Sequence, residues 1–298
     1  MTPRHYVVNG VEVEAPSLPA GLFIVSTPIG NLGDITLRAL ATFAAADIIA
    51  CEDTRVTGRL LRHYGISTRL VSYNDHNAPR RRPELLEALG AGQSVALASD
   101  AGTPLISDPG YRLVGEAVAG GHDVVPIPGA SAVLAGLAAA GLPTDAFLFA
   151  GFLPPKPGER RSRLTDLAAV PATLVFYESA QRVAAVLANI AETLGKDRAV
   201  VMARELTKLH ETIRRGSAEE LAQTLAAEPT PKGEIVLLVG PPAAAEPSEA
   251  EIDERLRVAL ASASLSRAVA DVVRQTGARR SEVYSRALAI RDEAGGGA

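Results

Sequence analysis

A chain of 298 residues is long enough for two or three compact units rather than one. Nearly half of it is hydrophobic and about a fifth is charged, a globular composition, and no run of about 18 uncharged apolar residues occurs, so no membrane span is predicted. The net charge of −4 argues against a chain that binds nucleic acid over its whole surface and leaves only local basic patches for such a role.

The first twenty residues carry Arg4, His5, Asn9, Glu12 and Glu14 and no apolar stretch of the kind a secretory signal needs. A single cysteine, Cys51, cannot form an internal disulfide, which fits a reducing compartment; the expected location is the cytoplasm. Asn9-Gly10 between short apolar stretches, Tyr6 to Val13, predicts a tight hairpin, read as a peripheral addition over residues 1–20.

From Gly21 strands and helices alternate. Leu22 to Ser26 reads as a buried strand and Thr36 to Ala46 as a helix. Asp47 to Cys51 is a strand and Thr54 to Tyr64 a helix. Arg69 to Tyr73, Ser94 to Ser99 and Asp123 to Ile127 are further strands with helical stretches between them. Apolar runs with little alternation predict strands buried on both faces, a sheet covered by helices. The pattern restarts after Gly141-Leu142-Pro143, which sets a boundary near residue 142. Phe147 to Phe152, Thr173 to Tyr177, Arg198 to Ala203 and Glu234 to Val239 are the strands of a second unit, 143–240, with helices at Ala180 to Leu194 and Ala218 to Ala227. Pro- and Ala-rich residues 241–250 read as a linker. Three helices follow within 251–298, at about Glu251 to Ala261, Leu265 to Thr276 and Arg280 to Ile290. The break at Gly277 gives the order of a helix-turn-helix, or of any small helical cap.

Three loops leave the ends of apolar strands: Thr27 to Asp34, Ser99 to Gly110, and Pro126 to Ala132. In open α/β sheets ligands gather at those ends. Glycine allows close backbone approach and proline fixes loop shape, so the loops suit a ligand read by main-chain groups. Neither a dinucleotide fingerprint nor a phosphate-binding P-loop is present, nor is G-x-S-x-G, and the five histidines have no partners at metal-ligand spacing, so no metal is expected.

The Thr27-Pro28-Ile29-Gly30-Asn31-Leu32-Gly33-Asp34 run, Glu52-Asp53-Thr54-Arg55, and Ser99 through Gly110 resemble the signature segments of the tetrapyrrole methylases, in the branch that acts on ribosomal RNA. Gly151 to Lys156, Phe176 to Ser179 and Ala203 to Lys208 continue the resemblance, which runs from about Leu22 to Gly240 and extends to the helical tail. It implies an α/β fold of two domains with S-adenosylmethionine in the cleft between them, a homodimer, and a small C-terminal helical tail. The implied activity is 2′-O-methylation of a cytidine ribose in 16S rRNA, with free rRNA or the 30S subunit as partner. A corrin-pathway methyltransferase and a non-catalytic RNA-binding protein of the same fold are the alternatives. Cofactor contacts implied by the matching are Pro28, Ala101, Gly102, Thr103, Ile106, Ser131 and Ala132, with Glu178 from the second domain. Thr103 stands where the broader family has Asp, Ala130 where Pro is usual, and Ala180-Gln181 where Pro-His is usual.

A ribose hydroxyl needs a base, and Asp100 and Glu205 are the candidates. Each reads equally as structural, Asp100 as a loop-shaping acceptor and Glu205 as an ion-pair partner of Arg204. Phosphate partners are expected among Arg80, Arg81 and Arg82, among Lys156, Arg160 and Arg161 on one loop, and among Arg274, Arg279 and Arg280 in the tail. The first two groups read alternatively as solvated charge. Tyr73, Tyr111 and Phe152 are the candidate stacking rings.

Overall fold

A computed structural model describes residues 4–106, 110–243 and 247–295. The Ser107-Asp108-Pro109 part of the second loop and the middle of the linker lie outside the described residues. The chain divides into two compact units, Met1–Pro241 and Pro242–Ala298.

The chain opens with β1 (His5–Val8) and β2 (Val11–Glu14), an antiparallel hairpin turned by Asn9 and Gly10, both at positive φ. This hairpin is not peripheral. Tyr6 is only 6% exposed and sits in the same apolar cluster as Phe43 and Tyr64. The Val7 amide donates to Tyr64 O at 2.8 Å, and the Arg4 guanidinium donates to Ala45 O, Ala46 O and Asp47.

The first sheet contains β3 (Gly21–Val25), β4 (Ile48–Cys51), β5 (Leu70–Ser72), β6 (Ser94–Ala98) and β7 (Val124–Ile127). All are parallel, in the order β5-β4-β6-β3-β7. Successive residues of a strand face opposite sides, and here both sides are buried. Phe23 and Val25 join a core on one face with helix α1 (Leu37–Ala45), while Leu22 and Ile24 join another on the opposite face, with α3 (Ala78–Gly90) and α4 (Tyr111–Ala119). Between β4 and β5 runs α2 (Thr54–His63).

The second sheet is mixed. Its strands β8 (Phe147–Phe152), β9 (Thr173–Ser179), β10 (Ala199–Arg204), β11 (Thr212–Ser217) and β12 (Glu234–Val239) lie in the order β11-β10-β12-β9-β8. Only β8 and β9 are parallel. One face is covered by α6 (Pro157–Leu167), α7 (Val183–Leu194) and α8 (Ala218–Ala227). The other face takes α5 (Ala132–Ala140), which follows β7 of the first sheet. Val133, Leu137 and Ala140 of α5 pack with Val201, Val236 and Leu238. Close approach is possible because the contact position is glycine: a Cβ on Gly136 would stand 3.3 Å from Val236 Cγ1. Arg215 of β11 donates to Ala139 O and Ala140 O, satisfying carbonyls that a helix end otherwise leaves orphaned.

Two elements differ from the sequence reading. β11 (Thr-Ile-Arg-Arg-Gly-Ser) is an edge strand whose charge and glycine hide it; pairing with β10 holds it. The basic stretch expected as a loop is helix α6, whose inward face is Arg160, Leu164 and Leu167 at i, i+4 and i+7.

The C-terminal unit is three helices, α9 (Glu249–Leu260), α10 (Leu265–Thr276) and α11 (Arg280–Gly295). Ile252, Leu256, Val269, Val272, Val283 and Ala287 form its own core. Gly277, at φ 70°, ends α10 in the left-handed conformation, and Arg286 clamps α11 to Asp253 of α9 with bonds of 2.6 and 2.7 Å.

Overpacking a full contact costs about 1–3 kcal/mol. Gly136→Val should therefore lower the urea midpoint of the chain; an unchanged midpoint would mean that α5 does not press on β12.

Candidate active site

The three Gly- and Pro-rich loops follow β6, β3 and β7, which are neighbours in the sheet. They are bonded to one another. The Thr27 amide donates to Gly102 O at 2.9 Å and the Gly102 amide returns a bond to Thr27 O at 3.1 Å. The Ser26 and Thr103 hydroxyls lie 3.1 Å apart, and the Thr27 hydroxyl donates to Ser99 O at 3.0 Å. Gly102 sits at φ 85°, and a Cβ there would also reach within 3.3 Å of Ile29. Gly129 is required for a second reason: a Cβ would lie 2.9 Å from that of Ser26. Ser131 caps α5, accepting from the Leu134 amide.

These loops form one wall of a cavity of about 370 Å³, within the range of small-molecule sites. Ala101, Gly102, Thr103, Ile106, Ser131 and Ala132 line it from the first sheet. The opposite wall is the second sheet: Tyr177 and Glu178 of β9, Ala203 of β10, Ile235 and Val236 of β12, and Phe152 at the end of β8. The structure thus brings together seven of the eight residues expected at a cofactor. Pro28 is the exception and lines the neighbouring cavity. Sequence reasoning missed Ile235 and Val236, since an apolar strand residue that lines a site looks like one that fills a core.

Glu178 has no side-chain exposure. One carboxylate oxygen accepts from the Ser179 amide at 2.7 Å, and the other from Arg182 Nη2 at 3.1 Å. Arg182 also donates to Leu153 O at 2.6 Å, so the buried charge is paired and the pair anchored to backbone. The arginine beside the substituted Ala180-Gln181 therefore has a role without a histidine.

The neighbouring cavity, about 390 Å³, shares Ile29, Ala101 and Glu234 with the first and adds Pro28, Arg59, Asp100 and Lys208. Asp100 Oδ1 accepts from the Asp53 amide at 3.0 Å. Burial pushes the Asp100 carboxyl upward and the Asp53 carboxylate adds to this, against the bond from the Asp53 amide and the charge of Arg55. Burial pushes the thiol of Cys51, at the end of β4, up to about 11.

Glu205 lines neither cavity. Its partner is Lys208 at 2.8 Å rather than Arg204, which donates to the Thr212 hydroxyl and Lys232 O. Glu205 also accepts from the Glu234 amide at 3.0 Å. A Cβ on Gly233 would run into its carboxylate, and one on Gly30 into the Lys208 side chain. Glu205 at φ 53° and Thr207 at φ 65° are left-handed, a costly conformation for a β-branched residue. Thr207 is held there by its amide bond to Glu211 at 2.5 Å and its hydroxyl bond to Asp34. This segment clamps the Gly30 loop to the second sheet.

The expected phosphate partners fare unevenly. Arg160 is buried at 4% exposure and donates to Asn189 Oδ1 at 2.7 Å, which removes it from the surface. Arg80 and Arg81 face Glu84, and Arg82 meets Glu116 at 2.8 Å. Lys156 pairs with Glu159, Arg161 with Glu192 at 3.7 Å, and Arg274 with Asp271. Arg279 and Arg280 are exposed at the tail's turn. Of the rings, Tyr73 is buried and unavailable for stacking, whereas Tyr111 and Phe152 are exposed. Among the described residues no group of three His, Cys, Asp or Glu side chains is placed to hold a metal ion, and no helix is long and apolar enough to cross a membrane.

A family model described as Tetrapyrrole (Corrin/Porphyrin) Methylases matches residues 21–222, and another, the RsmI C-terminal HTH domain, matches residues 246–291. The chain is 54% identical over 291 residues to "Ribosomal RNA small subunit methyltransferase I" of Mesorhizobium japonicum, covering 98% of this chain and 99% of that one. It is 52% identical to the protein of the same name from Erythrobacter litoralis, covering 93% and 98%. Among solved structures it is similar to the methyltransferase CobJ, at a TM-score of 0.56 and 23% identity over 76% of this chain and 95% of that one. It is also similar to uroporphyrin-III-C-methyltransferase from Thermus thermophilus, at 0.52 and 19% over 74% and 94%. At those identities the structures speak for the fold.

The Lys208 bond holds the Glu205 carboxyl below its usual range. A depressed carboxylate contributes stability in full above its unfolded pKa and loses it as pH falls through the folded value. Glu205→Gln should therefore lower the urea midpoint at pH 7, with the gap to wild type closing as pH drops below about 4. A gap independent of pH would show that the ion pair is not what stabilises the segment.

Proposed function

We infer the chemistry from one premise: the chain belongs to the tetrapyrrole (corrin/porphyrin) methylases. It is a methyltransferase, and the names of its relatives support ribosomal RNA of the small subunit as its substrate. The finer reading is that the donor is S-adenosylmethionine and the acceptor a cytidine ribose 2′-oxygen of 16S rRNA, free or in the 30S subunit. The protein works as a homodimer in the cytoplasm.

The observation that carries the donor site is the convergence of Ala101, Gly102, Thr103, Ile106, Ser131, Ala132 and Glu178 on one cavity. The donor set fits. Backbone groups of glycine-containing loops suit a ligand's polar edges, the apolar Ile29, Ile106, Leu206 and Val236 suit its base and sulfur, and Glu178, its carboxylate held by Arg182, fixes the wall of the second sheet. When bound, S-adenosylmethionine supplies a methyl group on an electrophilic sulfonium. The chain's own task is then to align the acceptor, which can contribute roughly 7–11 kcal/mol, and to take its proton. Asp100, in the adjoining cavity with its pKa raised, is the group for that proton. Glu205, ion-paired and outside both cavities, is a positioning residue. In the tail, Arg279 and Arg280 remain for phosphate contact.

The reading is tested by incubating the protein with tritiated S-adenosylmethionine and unmethylated 30S subunits, protein-free 16S rRNA, or a precorrin. Label in RNA nucleosides as 2′-O-methylcytidine supports it; label only in the precorrin would turn it to the corrin branch. Gly102→Val forces a branched residue into φ 85° beside Ile29. Calorimetry should show S-adenosylmethionine affinity collapsing while the fold survives, and unchanged affinity would remove the donor from this loop. Asp100→Asn should slow methyl transfer by about 10²-fold or more at retained donor affinity. A rate within a fewfold of wild type would exclude Asp100 as the base.

A further inference from the structure

We propose that helix α2 is the track that leads the RNA backbone to the acceptor cavity, with Arg59 and Arg62 holding phosphates beside the reacting ribose. The proposal rests on the RNA reading above and names how that substrate is held.

The face of α2 that meets solvent is Arg55, Arg59, Arg62 and His63, while Thr57, Gly58, Leu60 and Leu61 are buried. Positions i, i+4 and i+7 stack on one side of a helix, so the three guanidiniums form a stripe about 10 Å long. No acidic residue lies within the helix. Arg55 is committed to Asp53, with bonds of 3.0 and 2.6 Å. Arg59 and Arg62 make no ion pair among the described residues. The contrast with the denser basic runs is direct, because Arg80, Arg81, Arg82, Lys156 and Arg161 each face a glutamate.

Two contacts tie the stripe to the chemistry. Arg59 itself lines the cavity that holds Asp100. The N-cap of the helix is Asp53, whose amide donates to Asp100 Oδ1 at 3.0 Å, so the stripe and the proposed base are tied together. A phosphodiester chain lying along the stripe would carry one sugar into the cavity beside Ala101 and Ile29, two of the residues shared with the donor site. Phosphate contacts fix register without reading sequence, which is what a site acting on a sugar hydroxyl requires of this helix.

The experiment is filter binding of the full chain to unmethylated 30S subunits and to protein-free 16S rRNA between 50 and 200 mM salt, with methyl transfer followed in parallel. Each phosphate contact to a single strand contributes about 0.7 to the slope of log affinity against log salt. The Arg59→Gln, Arg62→Gln double variant should therefore lose about 1.4 from that slope, so its affinity falls about sevenfold less than wild type over the fourfold salt range. It should bind more weakly at low salt, raise the KM for RNA, and keep its affinity for S-adenosylmethionine. Lysine at both positions should restore most of the slope. If wild type methylates RNA and the double variant keeps the full slope and KM, the track is wrong and the function reading stands. If wild type methylates no RNA, the function reading falls and takes the track with it.

Discussion

Helix α5 begins at the end of the first sheet and lays its apolar face on the second. Ser131 caps its start beside the Gly102 loop, and Arg215 of the second sheet's edge strand holds its last carbonyls. Gly136 lets it approach Val236 and Leu238 closely. Because of that seat, Ala101 to Thr103 face Tyr177, Glu178 and Val236 across a cavity instead of opening to solvent. The Gly30–Lys208 contact and the bond from Thr207 to Asp34 close the same two walls from another side. The site is a property of the joint between the sheets, and the strained Glu205 to Thr207 segment marks where backbone comfort is given up to make that joint.

Charge is distributed with the same economy. Glu178 is buried, and its charge is tolerable only because Arg182 and the Ser179 amide meet it. Most surface arginines named from sequence are screened by a neighbouring carboxylate, as exposed pairs of little energetic worth. What distinguishes α2 is that, among the described residues, its Arg59 and Arg62 have no such neighbour next to the cavity that holds Asp100. A chain with net negative charge can still hold a polyanion if the positive groups left uncompensated share one face.

The strands of the first sheet were legible in the sequence because both of their faces are buried, which leaves unbroken apolar runs such as Leu22 to Val25. The three loops were legible because their glycines and prolines answer to backbone geometry, and the fold sets them on neighbouring strands. Other features had no such signature. β11 has one apolar residue, two adjacent arginines and a glycine at an edge, and depends on its partner for identity. α6 hides a buried arginine inside a run that looks solvated. The hairpin looked detachable, since nothing in a short β-turn announces that Tyr6 packs beside Phe43. Runs of adjacent arginines draw the eye, whereas Arg55, Arg59 and Arg62 form a patch only once helical spacing stacks them.

The seat of α5 also bears on how the protein is made. Val133, Leu137 and Ala140 leave the ribosome about 100 residues before β12, the last of the strands that cover them. At bacterial-type elongation rates of about 5–20 residues per second, that face waits roughly 5–20 s for its full cover. During this interval the first sheet can complete its own core, but the nascent chain carries an incompletely covered apolar helix, a natural target for a chaperone. Final closure of the cleft is therefore late in synthesis, and no partly made chain has a finished binding site to offer.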